Sequence, residues 1–149
     1  MISKIRQIPF KKEHIELMEI RQREYDFLVN SPQFELKLEE VEKLRSAMTL
    51  TYDGIVLGIV GHVQVIPGTY EVWLIPSEYI SSHSLAFAKL LSYYIREIMP
   101  TFDWHRLQMV SPEDGLHTRW AKFLGFEEEG TLRQWGHDKK DYTMWSKVR

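Results

Sequence analysis

The chain has no cysteine. That excludes disulfides, thiolate-ligated metals and cysteine nucleophiles together, and it fits a reducing compartment. It also lacks any apolar run approaching the ~20 residues that span a bilayer. The opening Met1-Ile2-Ser3-Lys4-Ile5-Arg6 has no apolar segment of the kind that marks a secretory leader. These absences set the expectation of a cytoplasmic protein with no membrane association. Charge of one sign is scarce too: the net charge is −2, which provides no field to hold nucleic acid or an anionic surface. No linker, low-complexity stretch or internal repeat interrupts the chain, so residues 1–149 read as a single domain.

What is present is the balance of a globular protein: 44% hydrophobic, 27% charged and 13% aromatic residues. Five Trp, seven Tyr and seven Phe supply the large side chains that dominate core burial. Trp104, Trp120, Trp135 and Trp145 are read as core residues in preference to a recognition surface. His105, His117 and His137 lie on separate elements without ligand spacing, so no metal site is expected.

Periodicity orders the elements. Residues 2–8 read as a strand closed by Pro9. Residues 12–29 are helical, with Ile15, Met18, Tyr25 and Val29 near helical spacing, until Asn30-Ser31-Pro32 stops them. Leu38, Val41, Leu44 and Met48 mark a second helix. Residues 47–52 and 55–66 are strands joined at Asp53-Gly54, a type I′ hairpin signal. Gly58 and Gly61 suggest bulges or close approaches. Pro67-Gly68 turns the chain into a strand at 70–75, ended by Pro76.

Residues 81–99 form a helix with an apolar stripe of Leu85, Ala88, Leu91, Tyr94, Ile95 and Ile98, stopped by Pro100. A strand at 105–110 precedes a helix at 114–124, with Asp114 at its N-cap and Gly125 at its C-cap. There Leu116, Trp120, Phe123 and Leu124 are expected to face the core, and His117 and Arg119 to point away. Strands at 126–134 and 141–148 complete the order β-α-α-β-β-β-α-β-α-β-β, an α/β fold with a mixed sheet.

With that order, Trp120-Ala121-Lys122-Phe123-Leu124-Gly125-Phe126-Glu127-Glu128-Glu129-Gly130 resembles the C-terminal half of the GNAT N-acyltransferases, whose corresponding helix ends in Leu-Gly-Phe before an acidic strand. The segment Asp114-Gly115-Leu116-His117-Thr118-Arg119-Trp120 onward is similar to phage-encoded GNAT-like proteins, among them small internal virion proteins of short-tailed phages. The resemblance implies an acetyl-CoA cofactor in a cleft where strands 70–75 and 105–110, parallel, splay apart. It implies that Trp73, Leu74 and Ile75 meet the pantetheine arm, and that the pyrophosphate lies at the start of the following helix. Asp114 and Arg119 join the cofactor-binding candidates on the same ground.

At that helix start the sequence departs from the family. The segment 76–84 has no glycine, no Lys or Arg lies between Val72 and Lys89, and Glu78 adds negative charge. Two readings stand. Ser81, Ser82 and Ser84 donate hydroxyls to phosphate, or Ser81 or Ser82 serves as the helix N-cap. Ala121 occupies the position where many family members carry a tyrosine acid, leaving Tyr79 or Tyr142 for that role. Glu71 and His83 are the candidate bases. His62 lies on the substrate side of a strand and reads as a packed sheet residue.

Two functions follow. One is transfer of acetyl from acetyl-CoA to a primary amine of a small molecule or protein. The other is a catalytically silent GNAT-fold phage protein, a virion component or a module that binds a host protein, located in the virion or the host cytoplasm.

Overall fold

A computed structural model describes residues 4–18 and 34–149. Among them the element order is β1 (Ile5–Pro9), α1 (His14–Leu17), α2 (Phe34–Leu44), β2 (Ala47–Tyr52), β3 (Ile55–Ile66), β4 (Thr69–Pro76), α3 (Ser84–Tyr93), β5 (Arg106–Pro112), α4 (Gly115–Phe123), β6 (Glu127–Leu132) and β7 (Tyr142–Val148). The strands form a seven-stranded mixed sheet in the order β1-β2-β3-β4-β5-β7-β6. The α/β class and the element order are those expected. Tyr25, Val29 and the Asn30-Ser31-Pro32 stop lie outside the described residues.

The chain divides into two compact units. One comprises the described residues up to Gly61 with Leu74–Leu91; the other comprises His62–Trp73 and Ser92–Arg149. In the first, β1 and β2 pair antiparallel, as do β2 and β3. Pro9 ends β1, where its missing N–H is tolerated because β1 is an edge strand. Alternation along β2 separates two faces. Thr49 takes a 2.7 Å hydrogen bond with His14 of α1. On the other face Leu50 pairs with Gln7 and Gly58, and Gln7 Nε2 donates to the Leu90 carbonyl of α3 at 3.2 Å. Thus α1 and α3 cover opposite faces of these strands.

Asp53 and Gly54 both have positive φ, as the two-residue hairpin requires. The register shifts between Leu50 and Thr51, a bulge in β3 just before Gly58. A Cβ at Gly58 would stand 2.8 Å from the Ile75 carbonyl oxygen and 2.9 Å from the Phe87 ring. Gly58 therefore lets β4 and α3 close onto β3.

The helix at α3 is shorter at both ends than its sequence suggests. It begins at Ser84 and passes at Tyr94 into a π turn, Tyr94–Ile98, then a 3-10 turn, Met99–Thr101. Pro100 cannot donate to the Arg96 carbonyl, so the α ladder cannot continue through it. Buried Phe87, Ala88, Leu90, Leu91, Tyr94 and Ile95 form the inward stripe. Leu85, expected within that stripe, is 66% exposed.

In the second unit β5 pairs antiparallel with β7, and β7 with β6. Asp114 caps α4, its carboxylate accepting from the His117 N–H at 2.8 Å. The C-terminus is a Schellman motif. Gly125 has φ +86°, its N–H donates to the Lys122 carbonyl, and the Phe126 N–H donates to that of Ala121 at 3.0 Å.

The buried face of α4 differs from the expected one. Trp120 and Leu124 are buried as anticipated, but the stripe is His117, Trp120, Ala121 and Leu124, and Phe123 is 58% exposed. Both sets satisfy a period near 3.6. The one with histidine is chosen because the Asp114 carboxylate lies 2.8 Å from His117 Nδ1, which makes a buried imidazole tolerable. The expectation that His117 points away from the core is therefore corrected. Arg119 is exposed as expected.

Gly58→Ala should destabilise the chain by about 1–3 kcal/mol through overpacking. Trp120→Ala should remove about 3–5 kcal/mol. Chemical denaturation measures both, and a neutral Gly58→Ala would refute the close-approach role.

Candidate functional site

The sequence candidates fall on β4, on the turn that follows it, on α4 and on β7. β4 runs parallel to β5, and the register covers Thr69–Glu71 against Arg106–Gln108. β4 continues to Pro76 beyond that register. Trp73 and Leu74 are half-buried and Ile75 is buried. Glu71 is half-buried, and Gln108 Nε2 donates to its carboxylate at 3.1 Å. Gln108 in turn accepts from Arg106 Nε at 3.0 Å, and the two terminal guanidinium nitrogens of Arg106 donate to Glu129. The hydrogen bond and charge of Arg106 hold the Glu129 carboxyl below the usual range, and Glu129 raises Arg106. Glu71 thus ends a polar ladder across the second unit.

The segment after β4 is a structured 3-10 turn. Ser77 is fully buried, donates its N–H to the Leu57 carbonyl at 2.8 Å, and accepts from the Tyr79 N–H through Oγ. It caps a 3-10 turn, Glu78–Ser81, that sinks Ile80 into the core. Ser81 and Ser82 belong to the turn and are exposed, so neither caps α3. His83 stands at that N-cap, because its carbonyl accepts the first helical bond, from the Phe87 N–H at 3.0 Å. Burial of Ile80 decides this, since it pulls the serines away from the helix start. Ser84 is half-buried.

The His83 ring lies 4.7 Å from that of Tyr52, with Nδ1 3.2 Å from the Tyr79 carbonyl. A carbonyl only accepts, so Nδ1 carries the proton and Nε2 is left as an acceptor. Tyr142, the candidate acid, is buried at the start of β7 with its ring 5.0 Å from that of Trp135. Glu71 is held by Gln108, His83 by Tyr79 and Tyr142 by Trp135; each candidate keeps its own surroundings. Ala121 is fully buried in the α4 stripe.

One enclosed polar pair escaped the sequence reading in part. His62 is buried as a packed sheet residue, as read. Its Nδ1 also lies 2.5 Å from the hydroxyl of Tyr94, within a cluster of Tyr70, Tyr94 and Phe102 rings. Burial lowers the imidazole below its ordinary value and raises the Tyr94 phenol, because each charged form is desolvated. Nothing in linear spacing links residues 62 and 94; only the sheet-to-helix packing does.

The sign of the His62 effect follows. Below the ordinary imidazole value near 6.5 the unfolded chain takes up a proton that the folded chain resists. Stability contributed by neutral His62 is complete above about pH 6.5 and is lost as pH falls toward the depressed folded value. His62→Phe should flatten the acid side of the stability curve, measured by thermal unfolding from about pH 7.5 to about pH 5. An unchanged slope would show that another group carries it.

Among the described residues no helix is long and apolar enough to cross a membrane, and no three His, Asp or Glu side chains gather as a metal site. No family model matches the sequence, and no curated protein matches it. Solved structures do. Ard1 from Thermoplasma volcanium is similar with a TM-score of 0.77 and 16% identity, over 97% of each chain. A GNAT-family acetyltransferase from Bacillus anthracis superposes with a TM-score of 0.64 and 15% identity, over 99% of this chain and 96% of that one. The microcin C7 self-immunity acetyltransferase MccE, in complex with acetyl-CoA and AMP, gives 0.71 and 16%, over 98% and 93%. The chain has the fold of the GNAT acetyltransferases, a mixed α/β fold on a seven-stranded sheet.

Proposed function

We propose that this chain is an N-acyltransferase that moves acetyl from acetyl-CoA to a primary amine of a small molecule or protein. The observation that carries the reading is the short β4–β5 register. β4 runs on past Glu71 to Pro76 beyond its parallel pairing, offering the extended backbone of Trp73, Leu74 and Ile75 to the amide-bearing pantetheine arm. A protein of the same fold, MccE, is in complex with acetyl-CoA.

The residues at the start of α3 fit a pyrophosphate through neutral donors. Ser81 and Ser82 expose hydroxyls in the preceding turn, Ser84 lies in the first helical turn, and the N-terminal N–H groups of α3 add the positive end of the helix dipole. Arg119 is exposed on α4 and stays a candidate on the resemblance alone, while Asp114 acts through the helix it caps. Bound acetyl-CoA supplies the acetyl group as a thioester. The chain's own part is proton handling. We assign the proton of the attacking amine to Glu71 or to Nε2 of His83; Tyr142, the acid candidate, is buried against Trp135. Orientation of the amine supplies much of the rate.

Ala121 favours a second reading, a catalytically silent GNAT-fold phage module that works through its surface. Ala121 carries no acid where the family often has one, and it is sealed inside the α4 stripe. Calorimetric titration with acetyl-CoA separates the two. Micromolar binding, about −8 kcal/mol, is expected, with a loss of about three- to tenfold in a Ser82→Ala/Ser84→Ala variant whose unfolding is unchanged. Absence of heat at high ligand concentration would overturn the acyltransferase reading and favour the silent module.

A further inference from the structure

His14, on α1, is a polar joint between a helical turn and the sheet, and its hydrogen bonds fix where its proton sits. Its Nδ1 lies 3.1 Å from the Lys11 backbone nitrogen and 2.7 Å from Thr49 Oγ1 on β2. A backbone N–H only donates, so Nδ1 is a bare acceptor and the ring proton is on Nε2. The fully buried Thr49 hydroxyl must then donate too. Two donors share one nitrogen lone pair, one from the turn and one from the sheet.

The Lys11 bond closes the turn as a capping box does. The His14 N–H donates to the Lys11 carbonyl at 2.9 Å, and its side chain accepts from the Lys11 N–H. Buried Phe10 and Met18 flank the segment, and the Phe10 ring stands edge-on to the imidazole at 6.2 Å. Charge reaches the ring from two elements. The turn contributes Lys11 and Glu13, and α2 contributes Glu42, which accepts from the Lys12 N–H at 3.0 Å. Glu39 of α2 is paired with Lys12 Nζ at 3.1 Å, and β2 presents the neutral Thr49. Burial and the Lys11 charge push the imidazole below its ordinary value of 6.5, against the upward pull of Glu13 and Glu42.

We propose that His14 is an acid-operated latch, in which protonation at Nδ1 releases the turn carrying α1 from β2. The new N–H faces the Lys11 N–H, donor against donor. Thr49 can turn its hydroxyl to accept, but a backbone amide cannot. The ring then keeps one bond of two and bears a charge where it is partly desolvated. Opening returns that charge to water, and the open turn leaves the ring at its ordinary value. Closure is therefore fully supported above about pH 6.5 and is lost as pH falls toward the depressed closed value. The latch lies within the first compact unit and does not depend on the acyltransferase reading.

The test is NMR spectroscopy of the whole chain between about pH 8 and about pH 5. The His14 nitrogens should report the Nε2–H tautomer at the upper end and titrate below about 6.5. Exchange protection of the His14, Ile15 and Glu16 amides should fall by up to about tenfold per pH unit below that value. Amides of β2 should keep theirs, which separates the latch from a general loss through His62. His14→Gln retains an acceptor that takes no proton, and it should hold the turn closed across the range. Glu42→Gln removes an upward pull and should lower the midpoint. An Nδ1–H tautomer, titration at or above about 6.5, or a pH response that survives in His14→Gln would each overturn the proposal. So would protection of the three amides that does not change with pH.

Discussion

The parallel pairing of Thr69–Glu71 with Arg106–Gln108 is the constraint on which much of the rest depends. Parallel neighbours cannot be joined by a tight turn, so the chain between β4 and β5 must cross over the sheet, and α3 with its π and 3-10 continuation is that crossover. The pairing is brief in strands of 8 and 7 residues. Where it ends, the Glu71–Gln108 side-chain bond takes over. Further along β4, the Ile75 carbonyl settles against Gly58, so the later part of the strand is positioned from β3 and α3.

Several polar groups on buried faces are matched to a partner, although Gln7 Oε1 and Trp104 Nε1 are buried without one among the described residues. Asp114 serves both the α4 N-cap and the His117 ring, and His62 meets Tyr94. Ser77 spends its N–H on Leu57 and its hydroxyl on Tyr79. Each bond adds little net stability, but an orphaned partner would cost about 1–3 kcal/mol. Such pairs therefore select among alternative packings of similar apolar content. The stripe of α4 is the clearest case: Phe123 is more apolar than His117, yet the histidine is inside.

These same pairings shape the chemistry available. The serine turn offers neutral donors where a basic loop would offer charge, so any anion held there depends on the helix terminus and hydroxyls. Glu71 is coupled through Gln108 to the Arg106–Glu129 pair.

The order of elements was legible because it is written in local signals: period changes, the Asp53-Gly54 hairpin, the Gly125 cap and the proline stops. β2 and β3 occupy the predicted residues, and Asp114 caps the predicted helix. Gly58 was legible as a close approach, though not what approaches it. What only the tertiary structure decided were choices between locally equivalent alternatives. A 3.6-residue period admits two adjacent stripes on α4, and the Asp114–His117 pair selects one. Several serines could cap α3; the burial of Ile80 carries Ser81 and Ser82 into a 3-10 turn and leaves His83 there. His62 and Tyr94 meet only because a helix crosses a strand far away in sequence. Local backbone preference determines where elements begin and end. Which face turns inward is settled by the partner that can satisfy its polar atoms.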